Sequence, residues 1–164
     1  MQSSEKNQAD WRWQLAHSVH RPAEILAALG LSAEITPELA AAAARYPVLV
    51  TPYYLGLARQ ASFDDPIVRQ CFPSALEVVD TAGCCQDPLA EDDFSPVPGL
   101  VHRYPDRALL ILTNRCAVHC RHCLRKRLWP PPATDLSASA LDEIFRYLVR
   151  TSGIRELIIS GGDH

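Results

Sequence analysis

The sequence predicts an α/β protein in which an N-terminal helical layer is followed by the first βαβ unit of an incomplete (β/α) barrel. Short apolar segments within residues 11–80 follow proline-containing start signals such as Thr36-Pro37 and Asp65-Pro66, which are typical of helices. Residues 108–113 and 156–159 are two apolar runs of a length typical of buried strands. Apolar residues recur with helical periodicity between them. Strand, helix and strand in this order form a parallel, right-handed unit.

This pattern divides the chain into four regions. Residues 1–10 are predicted to be a disordered tail, 11–80 a helical N-terminal region, 81–99 a linker loop, and 100–164 the start of the barrel core, cut short. Within the helical region, the first helix is expected from Trp11. Further start signals stand at Pro22, Thr36, Thr51 and Asp65, and stop signals at Gly30 and Pro47.

The last region is predicted to contain two strands and one helix. Ser139, with Asp142 three residues later, resembles a capping box that starts the helix, and Gly153 is expected to end it. The apolar face of this helix is predicted to comprise Leu141, Ile144, Phe145, Leu148 and Val149. Pro130-Pro131-Pro132 predicts a stiff extended turn. Because the second strand would present an unpaired apolar edge, we expect this sequence to be the N-terminal part of a longer protein.

Composition excludes several classes of protein. The chain has 164 residues, 48% of them hydrophobic, and a net charge of −3, which favours neither nucleic acid nor a membrane surface as a partner. No apolar run is long enough to span a bilayer, and the polar N-terminus is not a secretory signal. Three of the six cysteines, Cys71, Cys84 and Cys85, are an odd remainder outside the motif described below and are predicted to be reduced thiols, as in the cytoplasm.

Cys116, Cys120 and Cys123 stand at C-x3-C-x2-C spacing directly after the first strand. The carboxyl end of a strand is where α/β barrels carry their chemistry. Three thiolates can hold three irons of a four-iron, four-sulfur cluster and leave the fourth iron open to a ligand, whereas electron-transfer clusters have four protein ligands. The alternative is a Cys3His zinc site, whose fourth ligand would be His119, His122 or His102.

The spacing is the signature of radical S-adenosylmethionine (radical SAM) enzymes, and the longer pattern resembles lysine 2,3-aminomutase. The resemblance extends from about Trp11 to the end of the chain. The segments that carry it are Trp11-Arg12-Trp13-Gln14, Thr51-Pro52-Tyr53-Tyr54-Leu55, Asp87-Pro88-Leu89, Ser95-Pro96-Val97-Pro98-Gly99-Leu100, His102-Arg103-Tyr104-Pro105-Asp106-Arg107 and Ser160-Gly161-Gly162-Asp163.

The resemblance implies an isomerase with three cofactors. Cys116, Cys120 and Cys123 would hold the cluster, and S-adenosylmethionine would chelate the open iron. An electron from a donor such as flavodoxin or ferredoxin would then cleave S-adenosylmethionine. The resulting radical would take a hydrogen from C3 of L-lysine held on pyridoxal phosphate (PLP), and the amino group would move from C2 to C3 to give β-lysine. The family also implies a homo-oligomer for a full-length protein.

The resemblance also assigns individual residues. Arg103 and Arg107 match the arginines that hold the PLP phosphate, a role that two guanidinium forks suit. Arg125 matches an arginine for the substrate carboxylate, although the neighbouring Lys126 and Arg127 could equally form a solvated basic face. His122 lies where the family places its loop near the adenine, and the turn Ser160, Gly161, Gly162 and Asp163 resembles the turn that meets the methionyl amino group.

Three departures from the family stand out. Leu124 replaces a small polar residue, and Leu128 to Pro132 replace a stretch that usually contains glycine. Neither of the two lysines, Lys6 and Lys126, matches the lysine that binds PLP covalently, so no catalytic residue is predicted within these 164 residues and the chain alone is expected not to perform the aminomutase reaction.

Three other functions remain open. Two are aminomutases: a relative that modifies elongation factor P, and glutamate 2,3-aminomutase. The Trp-Arg-Trp-Gln start disfavours the first. The third, from a different class, is a non-catalytic iron–sulfur or zinc module.

Overall fold

The computed structural model describes residues 9–79, 85–129 and 134–163. The chain forms two compact units: residues 1–82 with 117–130, and residues 83–116 with 131–164. The predicted four-part division stays a prediction, but residues 117–130 cluster with the helices and not with the sheet. Most of the predicted tail, Cys84 and the run Pro130–Pro132 lie outside the described residues.

The first unit is helical, as the sequence predicts. Its α-helices are α1 (Trp11–Ala16), α2 (Pro22–Leu29), α3 (Pro37–Arg45), α4 (Pro52–Leu55) and α5 (Pro66–Cys71), and short 3-10 helices cover Ala75–Val78 and Lys126–Leu128.

The predicted start and stop signals of these helices are confirmed. Proline occupies the first helical position in α2 to α5, where its missing N–H costs no hydrogen bond. Thr36 and Thr51 accept hydrogen bonds from the backbone N–H groups of Leu39 and Tyr54, at 3.3 and 3.4 Å. Gly30 ends α2 with a φ of 64°, a conformation that favours glycine.

A small apolar core joins the helices to residues 117–130. Its buried members are Ile25, Val48, Val50, Leu55 and Cys71, and Val118 packs against them. Val50 forms an antiparallel bridge with Val118. The N–H of Thr51 donates to the carbonyl of Ala117 at 3.0 Å, and the N–H of His119 donates to that of Leu49 at 2.8 Å. The second part of the cysteine motif is therefore fixed to the helical unit.

The second unit is built on a three-stranded sheet: β1 (Leu100–Tyr104), β2 (Arg107–Thr113) and β3 (Glu156–Gly161), in that order. β2 and β3 are parallel, as predicted, with Leu110 opposite Ile159. The expectation of only two strands is wrong. Residues 100–104 pair antiparallel with β2 because the turn at Pro105-Asp106 folds them back onto it.

Among the described residues of this unit, the sheet is accompanied by one α-helix, α6 (Ala138–Arg150), and by a 3-10 helix at Asp92–Phe94. Ile144 is buried with Leu100, Ala108 and Leu110. The predicted start at Ser139 is wrong: Ser137 is the cap, since its backbone is extended and its hydroxyl accepts the N–H of Ala140 at 3.1 Å.

The predicted apolar face of α6 is only partly buried. Phe145 is 53% exposed and Val149 is 84% exposed, and β3 likewise exposes Ile158 and Ile159. β3 has no described partner on its outer side, which agrees with the predicted apolar edge. The unit is therefore α/β, and the closed barrel stays a prediction.

No helix among the described residues is both long enough and apolar enough to cross a membrane.

Candidate functional site

The turn after β3 packs directly against the residues that lead into Cys116. The N–H of Gly162 donates to the carbonyl of Thr113 at 2.8 Å, and the N–H of Asp163 donates to that of Arg115 at 2.7 Å. A Cβ on Gly162 would lie 1.7 Å from the Arg115 oxygen and 2.9 Å from the Cys116 Sγ. Only glycine allows so close an approach.

A polar network holds the same end of β2. The Thr113 hydroxyl donates to Asp135 Oδ1 at 2.6 Å, and Arg115 Nε donates to the same carboxylate at 3.0 Å. The hydrogen bond from Thr113, together with the charge of Arg115, holds the pKa of Asp135 below its usual value. The N–H of Asn114 donates to the carbonyl of Thr134 at 3.0 Å, and the N–H of Thr134 donates to Asn114 Oδ1. Sequence reasoning missed this network because Asp135 is separated from β2 by the proline run.

Cys120 and Cys123 lie on a tight turn in the first unit. The N–H of Cys123 donates to the carbonyl of Cys120 at 2.8 Å, and the N–H of Arg125 donates to the Cys123 Sγ at 3.3 Å. The Cys123 sulfur, a candidate metal ligand, thus accepts a backbone N–H.

Arg121, between these two cysteines, is buried. Its guanidinium forms a two-bonded ion pair with Glu77, at 3.0 and 2.8 Å, and also donates to the carbonyl of Tyr46 at 3.0 Å. Lys126 Nζ lies 3.2 Å from the same carboxylate. Burial opposes the ionisation of Glu77, but hydrogen bonds, that from Arg121 foremost, hold its pKa below the usual value. Lys126 is therefore bound to an acid and is not part of a solvated basic face.

The three histidines of the zinc alternative are in different settings. Nδ1 of His119 donates to the carbonyl of Pro47 at 2.8 Å, and its ring stacks on Trp129 at 4.4 Å. Burial lowers the pKa of His119, so the ring is neutral at pH 7. His122 is exposed. His102 lies on β1, where Nδ1 is 2.7 Å from the Tyr147 hydroxyl.

The cysteines of the motif are reduced and partly buried. Cys116, Cys120 and Cys123 form no disulfide, and the boundary between the two units falls between Cys116 and Ala117. Among the residues that the structure describes, no three His, Cys, Asp or Glu side chains form a group that could hold a metal ion. Burial raises the pKa of Cys71, which lies outside the motif, to about 11 and keeps it a neutral thiol.

The two arginines predicted for the PLP phosphate lie at the other end of the sheet. Arg107 begins β2, six residues before Thr113, which is about 20 Å at the rise of an extended strand. It lies 3.2 Å from Asp106 and 3.7 Å from Glu156, and the hydrogen bond with Asp106 raises its pKa. The exposed Arg103 stacks over Phe94 at 4.7 Å. Within this unit, the structure does not bring these arginines to Cys116.

The predicted carboxylate ligand Arg125 is half-buried and caps the 3-10 helix Lys126–Leu128. Its backbone contact with Cys123 ties it to the cysteine turn. Its predicted role stays a prediction, as do those of His122 and the glycine turn.

Comparison with known proteins confirms the predicted resemblance. The chain is 38% identical over 154 residues to L-lysine 2,3-aminomutase from Clostridium subterminale, covering 94% of this chain and 37% of that protein. It is 36% identical over 154 residues to the enzyme of that name from Bacillus subtilis, covering 94% and 33%. Glutamate 2,3-aminomutase from Clostridioides difficile is more distant, at 26% over 163 residues, covering 99% and 38%.

The chain spans between a third and a half of the length of the lysine 2,3-aminomutases that it matches, from 33% to 45%. No protein-family model matches it. The comparisons therefore support an aminomutase, an isomerase, as the kind of protein to which this chain is similar.

Proposed function

We propose that this chain forms the cluster-binding part of a radical SAM lysine 2,3-aminomutase. The observation that carries the proposal is the three-cysteine motif, Cys116, Cys120 and Cys123, within a chain similar to these enzymes over 94% of its length. The proposal includes L-lysine as the substrate of the whole enzyme and a donor such as flavodoxin or ferredoxin as its source of electrons.

The donor set suits an iron–sulfur cluster. It consists of three reduced thiols, one of which already accepts a backbone N–H. Binding is expected to bring the three sulfur atoms to three irons of the cluster. When bound, such a cluster supplies the electron that cleaves S-adenosylmethionine.

The glycine turn suits the amino group of S-adenosylmethionine. The N–H groups of Gly162 and Asp163 already donate to carbonyls of the chain, so the turn offers a ligand hydrogen-bond acceptors, carbonyl oxygens among them. Carbonyl oxygens accept hydrogen bonds from an ammonium group. Because Gly162 has no Cβ, the turn lies against Cys116, and a ligand bound by both is held in one orientation.

The described residues do not suit covalent attachment of PLP. Lys126 is the one lysine among them, and its ammonium group is bound to Glu77. Arg107 is bound to two carboxylates. We therefore expect no β-lysine from the purified 164-residue chain supplied with S-adenosylmethionine, PLP and a reductant.

Lysine is the proposed substrate because the relatives named lysine 2,3-aminomutase are 34 to 38% identical, against 26% for the glutamate enzyme. Arg125 is the proposed partner of the substrate carboxylate, since a guanidinium can bind both carboxylate oxygens.

Anaerobic reconstitution with iron and sulfide tests the proposal. We expect a broad absorption at the blue end of the visible range, and 5′-deoxyadenosine after addition of S-adenosylmethionine and dithionite. Alanine at Cys116, Cys120 or Cys123 should lower the bound iron, while Cys85→Ala, which changes an exposed cysteine outside the motif, should not. Stoichiometric zinc without this absorption would indicate the structural zinc module instead.

A further inference from the structure

Arg121 lies between two of the proposed metal ligands, and its charge is directed into the helical unit. Its side chain is only 7% exposed. The guanidinium contacts both oxygens of Glu77 and the carbonyls of Tyr46 and Pro47. Its own N–H donates to the carbonyl of Gln70 at 2.7 Å. Arg121, one of the two residues between Cys120 and Cys123, is thus fixed through both its backbone and its side chain.

Glu77 is itself held in one position. Its Oε1 accepts the N–H of Ser74 at 2.9 Å as part of a capping box. Lys126 donates to its Oε2 at 3.2 Å and to the carbonyl of Arg121 at 3.4 Å. Lys126 therefore closes the turn from its far side, three residues beyond Cys123.

The energetics favour a positioning role over a purely stabilising one. Removing two charges from water costs about as much as their attraction returns, so a buried ion pair contributes little net stability compared with apolar residues of the same size. The planar guanidinium of Arg121, with two hydrogen bonds to one carboxylate, does fix the orientation of the side chain closely. The neighbouring stack of His119 on Trp129 fixes the residue before Cys120 in the same way.

We propose that the Arg121–Glu77 ion pair, closed by Lys126, is a positioning device that holds Cys120 and Cys123 ready for the cluster. This inference rests on the proposed function. Removing a residue that orients a metal ligand through hydrogen bonds typically lowers metal affinity by about 10- to 100-fold.

The test measures how fast the reconstituted chain loses iron to a chelator, together with the electron paramagnetic resonance spectrum of its reduced cluster. Arg121→Gln and Glu77→Gln should lose iron about tenfold faster than the unaltered chain and give a broadened spectrum. Arg121→Lys keeps the charge but loses the planar guanidinium, so its rate of iron loss should lie between those of Arg121→Gln and the unaltered chain. Arg69→Gln is the matched control, an exposed arginine of the same unit, and should behave as the unaltered chain does.

A milder variant covers the case in which Arg121→Gln does not fold. Lys126→Met removes one bond to Glu77 and one to the Arg121 carbonyl, and should speed iron loss about threefold. Equal rates and spectra in the unaltered chain and all variants, with iron bound in each, would overturn the positioning role and leave the proposed function intact. Failure of the unaltered chain to take up iron would overturn both.

Discussion

The residues before and after Cys116 differ in the contacts that hold them. Residues 113–116, in the sheet unit, accept the backbone N–H groups of Gly162 and Asp163 at close range, and the side chains of Thr113 and Arg115 bond to Asp135. Residues 117–126, in the helical unit, are held by side chains: a buried ion pair, a ring stack and a lysine. We expect residues 113–116 to be disrupted most by a substitution that adds volume, and residues 117–126 by one that removes a charge.

The backbone explains this difference. At the ends of parallel strands the peptide groups are already aligned, so a turn without side chains can approach them closely. Residues 117–126 contain no regular element before the 3-10 helix at Lys126. The segment they pack on is also irregular after α3, and Arg121 and His119 donate to its carbonyls at Tyr46 and Pro47.

Glu77→Ala is expected to have the largest effect on stability. It leaves the buried Arg121 without its counter-charge, which typically costs about 3–5 kcal/mol. The loss should be visible by tryptophan fluorescence during urea unfolding, because all three tryptophans, Trp11, Trp13 and Trp129, belong to the helical unit. Glu34→Ala, at an exposed position, is the control and should change the free energy of unfolding by less than about 0.5 kcal/mol. Equal losses in both variants would mean that the ion pair does not hold this unit.

Gly162→Ala should destabilise the sheet unit by about 3 kcal/mol, since a Cβ 1.7 Å from the Arg115 oxygen forces the backbone apart. Amide exchange at Gly162 and Asp163, whose N–H groups bond to the strand end, measures it. Gly30→Ala is the comparison: it meets no atom within 4 Å and carries only the strain of a φ of +64°, about 1 kcal/mol. A smaller effect at Gly162 than at Gly30 would contradict the close approach.

Asp65→Asn should reduce the pH dependence of stability in the helical unit. Asp65 is buried, which disfavours its charge, but it accepts backbone N–H groups of Arg59, Gln60, Ile67 and Val68, and these bonds lower its pKa. A lowered pKa gives stability that is complete above the unfolded-state value and is lost as the pH falls through the folded-state value.

Proton uptake on unfolding below about pH 4 should therefore fall by up to about one proton in Asp65→Asn. Fluorescence-detected unfolding at a series of acid pH values measures it. The exposed neighbour Asp64 provides the matched control variant, Asp64→Asn, and the same change in both variants would contradict the assignment.

Ser137→Ala should have the smallest effect, about 1 kcal/mol on the sheet unit, because the cap of α6 is lost. Ser139→Ala should be close to neutral, since Ser139 lies inside the helix. Exchange of the Ala140 amide, which bonds to the Ser137 hydroxyl, distinguishes the two. Faster exchange in Ser139→Ala would restore the capping box predicted from the sequence.

Local signals were sufficient for the helix starts. Thr36, Thr51 and Asp65 each precede a proline and each caps a helix, because a cap and its helix are neighbours in sequence. The sequence misplaced the start of α6, where Ser137 and Ser139 are both plausible caps. It also missed β1, since that strand is defined by pairing with β2 and not by its own composition.

The sequence by itself determined the three-cysteine spacing, the glycine turn and the parallel strand–helix–strand unit, since each is set by residues close together in the chain. Only the tertiary structure decided that Glu77 pairs with Arg121, that Gly162 lies against Cys116, and that Arg107 starts the strand whose far end leads to Cys116. Such contacts join residues tens of positions apart or depend on which end of a strand a residue occupies. No local pattern encodes either, because both follow from how the elements pack.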